Sequence, residues 1–242
     1  MKNVIAAAAL SLVLSDFTYA HEQRDEAMMK ITPSTLADAD IQAVSPALAR
    51  FGREAISNDL WQRDALSARD RSIVTVAMLI ARNQPGELKH YIAVALDSGV
   101  TPAEVSEIIT HLTAEALPAA SPTLLPLNEQ VEKQRADTVE KNVGPISPGL
   151  VKFTADPLFL DLWQRPALTP RDRSLVTVSA LIAAGQSAQI GYHLNRAMDN
   201  GLSAEEAGEV VAQAAFYAGW PNAFTAAPVV GEVLRARESK AE

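Results

Sequence analysis

Cysteine is missing from all 242 residues, which removes disulfide staples, thiolate metal sites and any reaction that runs through a thiol. Basic residues are in deficit: 21 Lys and Arg against 29 Asp and Glu give a net charge of -8, with a pI near 5.1. A nucleic-acid partner is therefore not expected, because polyanion binding needs a cationic surface that releases counterions. The four histidines, His21, His90, His111 and His193, show no metal-ligand spacing, so no metal site is expected. No apolar run reaches the roughly 20 residues that a membrane span needs. The nearest is the stretch from Val4 to Leu14, behind Lys2 and ahead of Thr18-Tyr19-Ala20. That order describes a cleaved secretory signal peptide over residues 1–20, leaving a periplasmic or secreted protein with no membrane attachment.

What the chain does have is a repeat. The stretch LWQRDALSARDRSIVTVAMLIARNQ from Leu60 returns as LWQRPALTPRDRSLVTVSALIAAGQ from Leu162, and Trp61 and Trp163 set the offset at 102 residues. It holds without a gap from Ser45-Pro46 opposite Ser147-Pro148 to Asp97 and Gly99 opposite Asp199 and Gly201. Self-similarity on this scale fixes the architecture as one unit written twice. After an N-terminal extension over 21–44, the first module is placed at 45–141 and the second at 142–238, with Asn142-Val143-Gly144-Pro145 at the boundary.

The punctuation within each copy is that of helices. Ser67-Ala68-Arg69-Asp70 and Thr169-Pro170-Arg171-Asp172 each supply an N-cap hydroxyl and an acid at the third helical position. The residues that follow are apolar almost all round, the pattern of a central buried helix. A second helix ends at Ser98-Gly99 and Asn200-Gly201, and Thr101 to Glu104 and Ser203 to Glu206 read as capping boxes for a third. Strand periodicity is scarce, so the fold class is all-α, a tandem duplication. The copies part after Thr110: three prolines between Pro118 and Pro126 predict a distorted or replaced helix, and the residues from Asn128 to Lys141 are again helical in pattern.

The runs LWQRPALTPRDRSLVTVSALIA, HLNRAMDNGLS and FYAGWPNA together resemble the carboxymuconolactone decarboxylase family, whose all-α fold is shared with alkylhydroperoxidase D. The resemblance covers most of both modules. It implies a compact helical unit assembled into a homo-oligomer. It also implies either cofactor-independent loss of carbon dioxide from a lactone acid, or thiol peroxidase chemistry, which the absence of cysteine excludes. His193 matches the family histidine, and Arg173-Ser174 and Arg71-Ser72 match its Arg-Ser. Where the family often carries Glu four residues before that histidine, this chain has Gln189 in the second module and Glu87 in the first. Tyr91 stands at the histidine position of the first module, with His90 one residue early.

Decarboxylation of such an acid needs a donor or cation at the developing oxyanion and an acid to protonate carbon. His193 is the expected proton donor, with Tyr192 or Tyr217 as its hydrogen-bond partner, and Glu87 with His90 is a second candidate catalytic pair. Arg173 and Arg71 are the expected carboxylate binders, and Tyr217 and Trp220 are expected to line the pocket. Arg69 and Arg171 read as helix-start ion pairs, and His111 as a packed core histidine. The resulting expectation is an exported lyase acting on a small acidic lactone. The alternative is a ligand-binding or assembly protein that kept the fold without the chemistry.

Overall fold

A computed structural model of the chain describes residues 38–114, 137–154 and 162–241. The predicted signal peptide and the proline-rich stretch 118–126 lie outside the described residues. Among those described there is no strand, and 137–143 is helical. The helices are α1 (Asp38–Val44), α2 (Pro46–Phe51), α3 (Ala68–Ala81), α4 (Pro85–Asp97), α5 (Pro102–Ala114), α6 (Pro148–Phe153), α7 (Pro170–Ala183), α8 (Ser187–Asp199), α9 (Ala204–Tyr217) and α10 (Trp220–Ala241).

Repeated sequence yields repeated local structure. Ser45 and Ser147 cap α2 and α6 with φ of -146° each, accepting from the Leu48 and Leu150 amides at 3.4 Å. The Ser67 and Thr169 hydroxyls accept from the Asp70 and Asp172 amides at 3.1 Å. Both expected capping boxes form: the Thr101 amide donates to Glu104 at 2.6 Å and the Ser203 amide to Glu206 at 2.7 Å, each glutamate amide donating back to the hydroxyl. Such caps are each worth about 1 kcal/mol. Gly99 and Gly201 then turn the chain with φ of 93° and 104°, a region where a Cβ is strained.

The centre of the molecule is the packing of α3 against α7. Ile73, Val74, Val76, Leu175, Val176 and Val178 are buried there, and burial of each such side chain contributes about 1.5–3 kcal/mol. Helix α4 lies on α3 and α8 on α7, while the third helices, α5 and α9, each lie against both central helices, an exchange across the modules. Each module therefore completes its core with a helix of the other.

Reciprocal ion pairs lock this exchange. Arg69 donates to Asp172 at 2.8 Å and Glu104 at 2.6 Å, while Arg171 donates to Asp70 at 2.9 Å and to Glu206. The Arg-Asp-Arg motifs at 69–71 and 171–173 thus act at the helix starts, the first arginine of each reaching the aspartate of the other copy. Burial pushes the Glu104 and Glu206 carboxyls upward, but the cap donors from Thr101 and Ser203 and the guanidiniums outweigh it, and both titrate below their ordinary range.

Candidate functional site

The exchange of third helices builds two polar clusters related by the repeat. In each, a fully buried arginine of the central helix holds a glutamate of the other module. Arg71, 0% exposed, donates to Glu209 at 2.7 Å and to the Arg63 carbonyl at 2.7 Å. Arg173, 1% exposed, donates to Glu107 at 3.0 Å and to the Arg165 carbonyl at 2.7 Å. Arg63 and Arg165 close the opposite edge of each carboxylate, Nε lying 3.0 Å and 2.9 Å from both oxygens. Donation from Arg63 and Arg71 outweighs burial and holds Glu209 below the usual carboxylate range. The carboxylates gripped by Arg71 and Arg173 are thus the protein's own, and both guanidiniums position the cluster from beneath.

One turn further on, the copies use different residues in the same bonding pattern. Gln213 donates to the Thr75 hydroxyl at 2.9 Å and accepts from Arg71 at 3.2 Å. His111, 0% exposed, takes its place in the second cluster, with Nε2 2.7 Å from the Thr177 hydroxyl and Nδ1 3.4 Å from Arg173 Nη1. Arginine can only donate, so Nδ1 accepts and the proton of the neutral ring sits on Nε2. Burial first, then the charges of Arg173, Arg196 and His193, push this ring well below the ordinary histidine value. It is packed as the sequence predicts, and it also belongs to the site.

Above these foundations the clusters diverge. In the second, Trp163 is the hub: His193 stacks on it with centroids 6.3 Å apart and planes at 24°, and His111 meets it edge-on at 5.2 Å. The Arg196 guanidinium lies 3.6 Å from the centre of the indole ring, within the range where cation–π attraction is worth about 0.5–2 kcal/mol. His193 and Arg196 are three residues apart on α8, so one helix face delivers both to the indole. Tyr192 meets His193 edge-on at 5.1 Å.

In the first cluster the residues opposite His193 and Arg196 are Tyr91 and Val94, both buried. Trp61 Nε1 donates to the Tyr217 hydroxyl at 2.8 Å, and the Tyr91 and Tyr217 hydroxyls lie 2.8 Å apart. Burial raises both phenols, Tyr217 to about 12 and Tyr91 further, and the negative charge of Glu87 adds to each. His90 packs edge-on against Tyr91 at 4.9 Å.

The sequence-derived candidates thus fall into three places. His193 and Arg173 come together in the second cluster. Arg71, Glu87, His90 and Tyr217 gather in the first, where Tyr217 closes on Tyr91 rather than on His193. Trp220 stands apart: Gly219, with φ of 95°, turns the chain between α9 and α10, so Tyr217 and Trp220 leave from different helices. Trp220 is 57% exposed in a surface row with Phe216 at 5.7 Å and Phe224 at 6.2 Å.

Comparison with known proteins accounts for this doubled geometry. The profile of the carboxymuconolactone decarboxylase family matches residues 46–128 and again 148–232. The chain belongs to the carboxymuconolactone decarboxylase family. It is 33% identical over 75 residues to the 4-carboxymuconolactone decarboxylase of Acinetobacter baylyi, covering 31% of this chain and 56% of that protein. It is also 33% identical over 81 residues to the nitrosuccinic acid decarboxylase npaB of Metarhizium robertsii, covering 34% and 57%. The chain spans a little over half the length of these curated relatives. Within this carboxymuconolactone decarboxylase fold, sequence reasoning did not single out Glu107, Glu209, Arg196 or Trp163 as site residues. Arg196 carried one available signal, its place three residues after His193 on a helix. The two glutamates carried only their repeat positions, since their partners lie across the module exchange.

Proposed function

We propose that the protein is a cofactor-independent decarboxylase of small organic acids whose working centre is the second-module cluster. The observation that carries this reading is the convergence of His193 and Arg196 on Trp163, an acid–base group beside a cation, in a chain of decarboxylase relatives. Those relatives are named for acids whose carboxyl group stands near an electron sink, a lactone in one and a nitro group in the other. The substrate class follows from that chemistry. The bond from carbon to carboxylate breaks heterolytically, carbon dioxide leaves, and the electron pair passes to an oxygen of the sink. Arg196 holds an anionic oxygen of the substrate, and His193 in its protonated form delivers a proton to carbon and recovers one from water. Arg173 acts through Glu107 and His111, fixing the floor on which the indole and imidazole rest. No external electron acceptor is needed, because the products together carry the electrons of the acid.

The N-terminal pattern supports export, which the mass of the mature protein's first peptide tests: a start at His21 is expected, and a retained Met1 contradicts it. Exposed apolar residues recur at matching positions of both modules, Val44 and Leu48 opposite Ile146 and Leu150, and support assembly with further copies of the chain. Light scattering on the purified protein tests that. The decarboxylase reading itself is tested by offering the mature protein lactone acids and nitro acids and following carbon dioxide. Turnover of at least one class is expected, and ligand-induced thermal stabilisation without any turnover would assign a binding role instead.

A further inference from the structure

The two tryptophans of the repeat are held by the same pair of contacts. Each indole is stacked by a residue of the second helix of its own module: Tyr91 lies on Trp61 with planes at 16°, and His193 on Trp163 at 24°. Each is also met edge-on by a ring from the exchanged helix of the other module. Tyr217 of α9 meets Trp61 at 6.4 Å and 86°, and His111 of α5 meets Trp163 at 5.2 Å and 84°. These two rings do not stand at matching positions. By the 102-residue offset the partner of His111 is Gln213, one helical turn before Tyr217.

Gln213 and His111 make the same hydrogen bonds, to a threonine hydroxyl and from a buried arginine, so those bonds do not call for an imidazole. What the ring adds is the edge-on contact, which in the first cluster comes from Tyr217. His111 therefore combines the roles of two α9 residues. Its ring is 0% exposed and Trp163 4% exposed, so in a close-packed interior neither turns without displacing the other. The indole in turn carries the two groups on which the second site depends: the Arg196 guanidinium 3.6 Å from its centre and the His193 imidazole in its stack.

We propose that His111 is a positioning residue for the second site: its ring, delivered by the first module, sets the plane of Trp163 and through it the places of Arg196 and His193. The catalytic consequence rests on the decarboxylase reading, whereas the geometric one does not. A fixed indole plane holds the cation and the acid at one separation, and a displacement of about 1 Å between such groups costs about 10²-fold in rate. The first module uses glutamine at this point because Tyr217 braces Trp61 there.

Two variants of the full chain separate the ring from its hydrogen bonds. His111→Gln keeps the bonds, as Gln213 does, and removes the ring, while His111→Phe keeps a ring and removes the bonds. Arg196 reports on the geometry by NMR, because protons over an indole face resonate upfield of their ordinary position, and its signals are identified by their loss in Arg196→Gln. Wild type and His111→Phe are expected to show upfield Arg196 Nε–H and Cδ–H signals, and His111→Gln to return them toward the ordinary arginine position. On an acid that the wild type decarboxylates, kcat/KM is expected to fall at least tenfold in His111→Gln and less in His111→Phe, although His111→Phe unfolds at lower urea. A purely structural role would give the opposite order, with activity following stability. Arg196 signals that stay upfield in His111→Gln, or a kcat/KM lower in His111→Phe than in His111→Gln, would overturn the proposal. Should His111→Phe not fold, the Arg196 signals of His111→Gln decide alone. Should the wild type turn over no acid, the decarboxylase reading fails and those same signals still decide this proposal.

Discussion

Replacing His111 by Gln should remove a specific part of the protein's sensitivity to acid. The substitution is one the molecule has already made, since Gln213 occupies the matching place with the same donor to threonine and the same acceptor for arginine. A folded, well-packed variant is therefore expected. The wild-type ring is fully buried beside Arg173 and Arg196, so it stays neutral in the folded state while the unfolded chain protonates it near about pH 6.5. With the folded value depressed, the unfolded state binds more protons, and stability is lost as pH falls through the unfolded value. Between about pH 7 and pH 5 the linkage amounts to about 2 kcal/mol, or about 4–8 °C in Tm for a chain of this size. Urea unfolding at a series of pH values, on wild type and His111→Gln side by side, isolates the difference because every other titrating group is shared. Stability should converge toward acid, the wild type losing about 2 kcal/mol more than the variant. Parallel curves would refute the reasoning, since they would require a ring free to take up a proton when folded.

Other substitutions probe the two clusters. Glu209→Ala strips the buried Arg71 of its counter-charge and should cost about 3–5 kcal/mol in urea unfolding, with Glu209→Gln milder because an oxygen acceptor remains. Arg196→Gln should leave the fold intact and lower kcat/KM for an acid substrate by about 10- to 100-fold in steady-state assays, the worth of one charge-assisted hydrogen bond. Gly201→Ala places a Cβ on a residue at φ of 104° and should lower stability by about 1 kcal/mol or more in thermal melts.

The repeat offset made much of this fold legible. Caps at Ser67, Thr169, Thr101 and Ser203, and the turns at Gly99 and Gly201, depend on neighbours a few residues away, and local sequence reports local structure. The assignment of Arg69 and Arg171 to helix-start ion pairs was readable for the same reason, although their partners across the repeat were not. The exchange of α5 and α9 between modules is a tertiary choice with no local signature. It decides that Tyr217 meets Tyr91, that Glu107 and Glu209 neutralise the buried arginines, and that His111 enters the second site. Trp220 shows the reverse case: two aromatic residues three positions apart suggest one surface, and a single left-handed glycine between them separates the helices they stand on.

The central claim, that the imidazole beside Arg196 and Trp163 protonates carbon as carbon dioxide departs, is tested most directly by comparing wild type with His193→Ala on an acid the wild type turns over. Carbon dioxide release should fall by about 10²- to 10⁴-fold in a variant that melts as the wild type does. Undiminished release from His193→Ala would contradict the account.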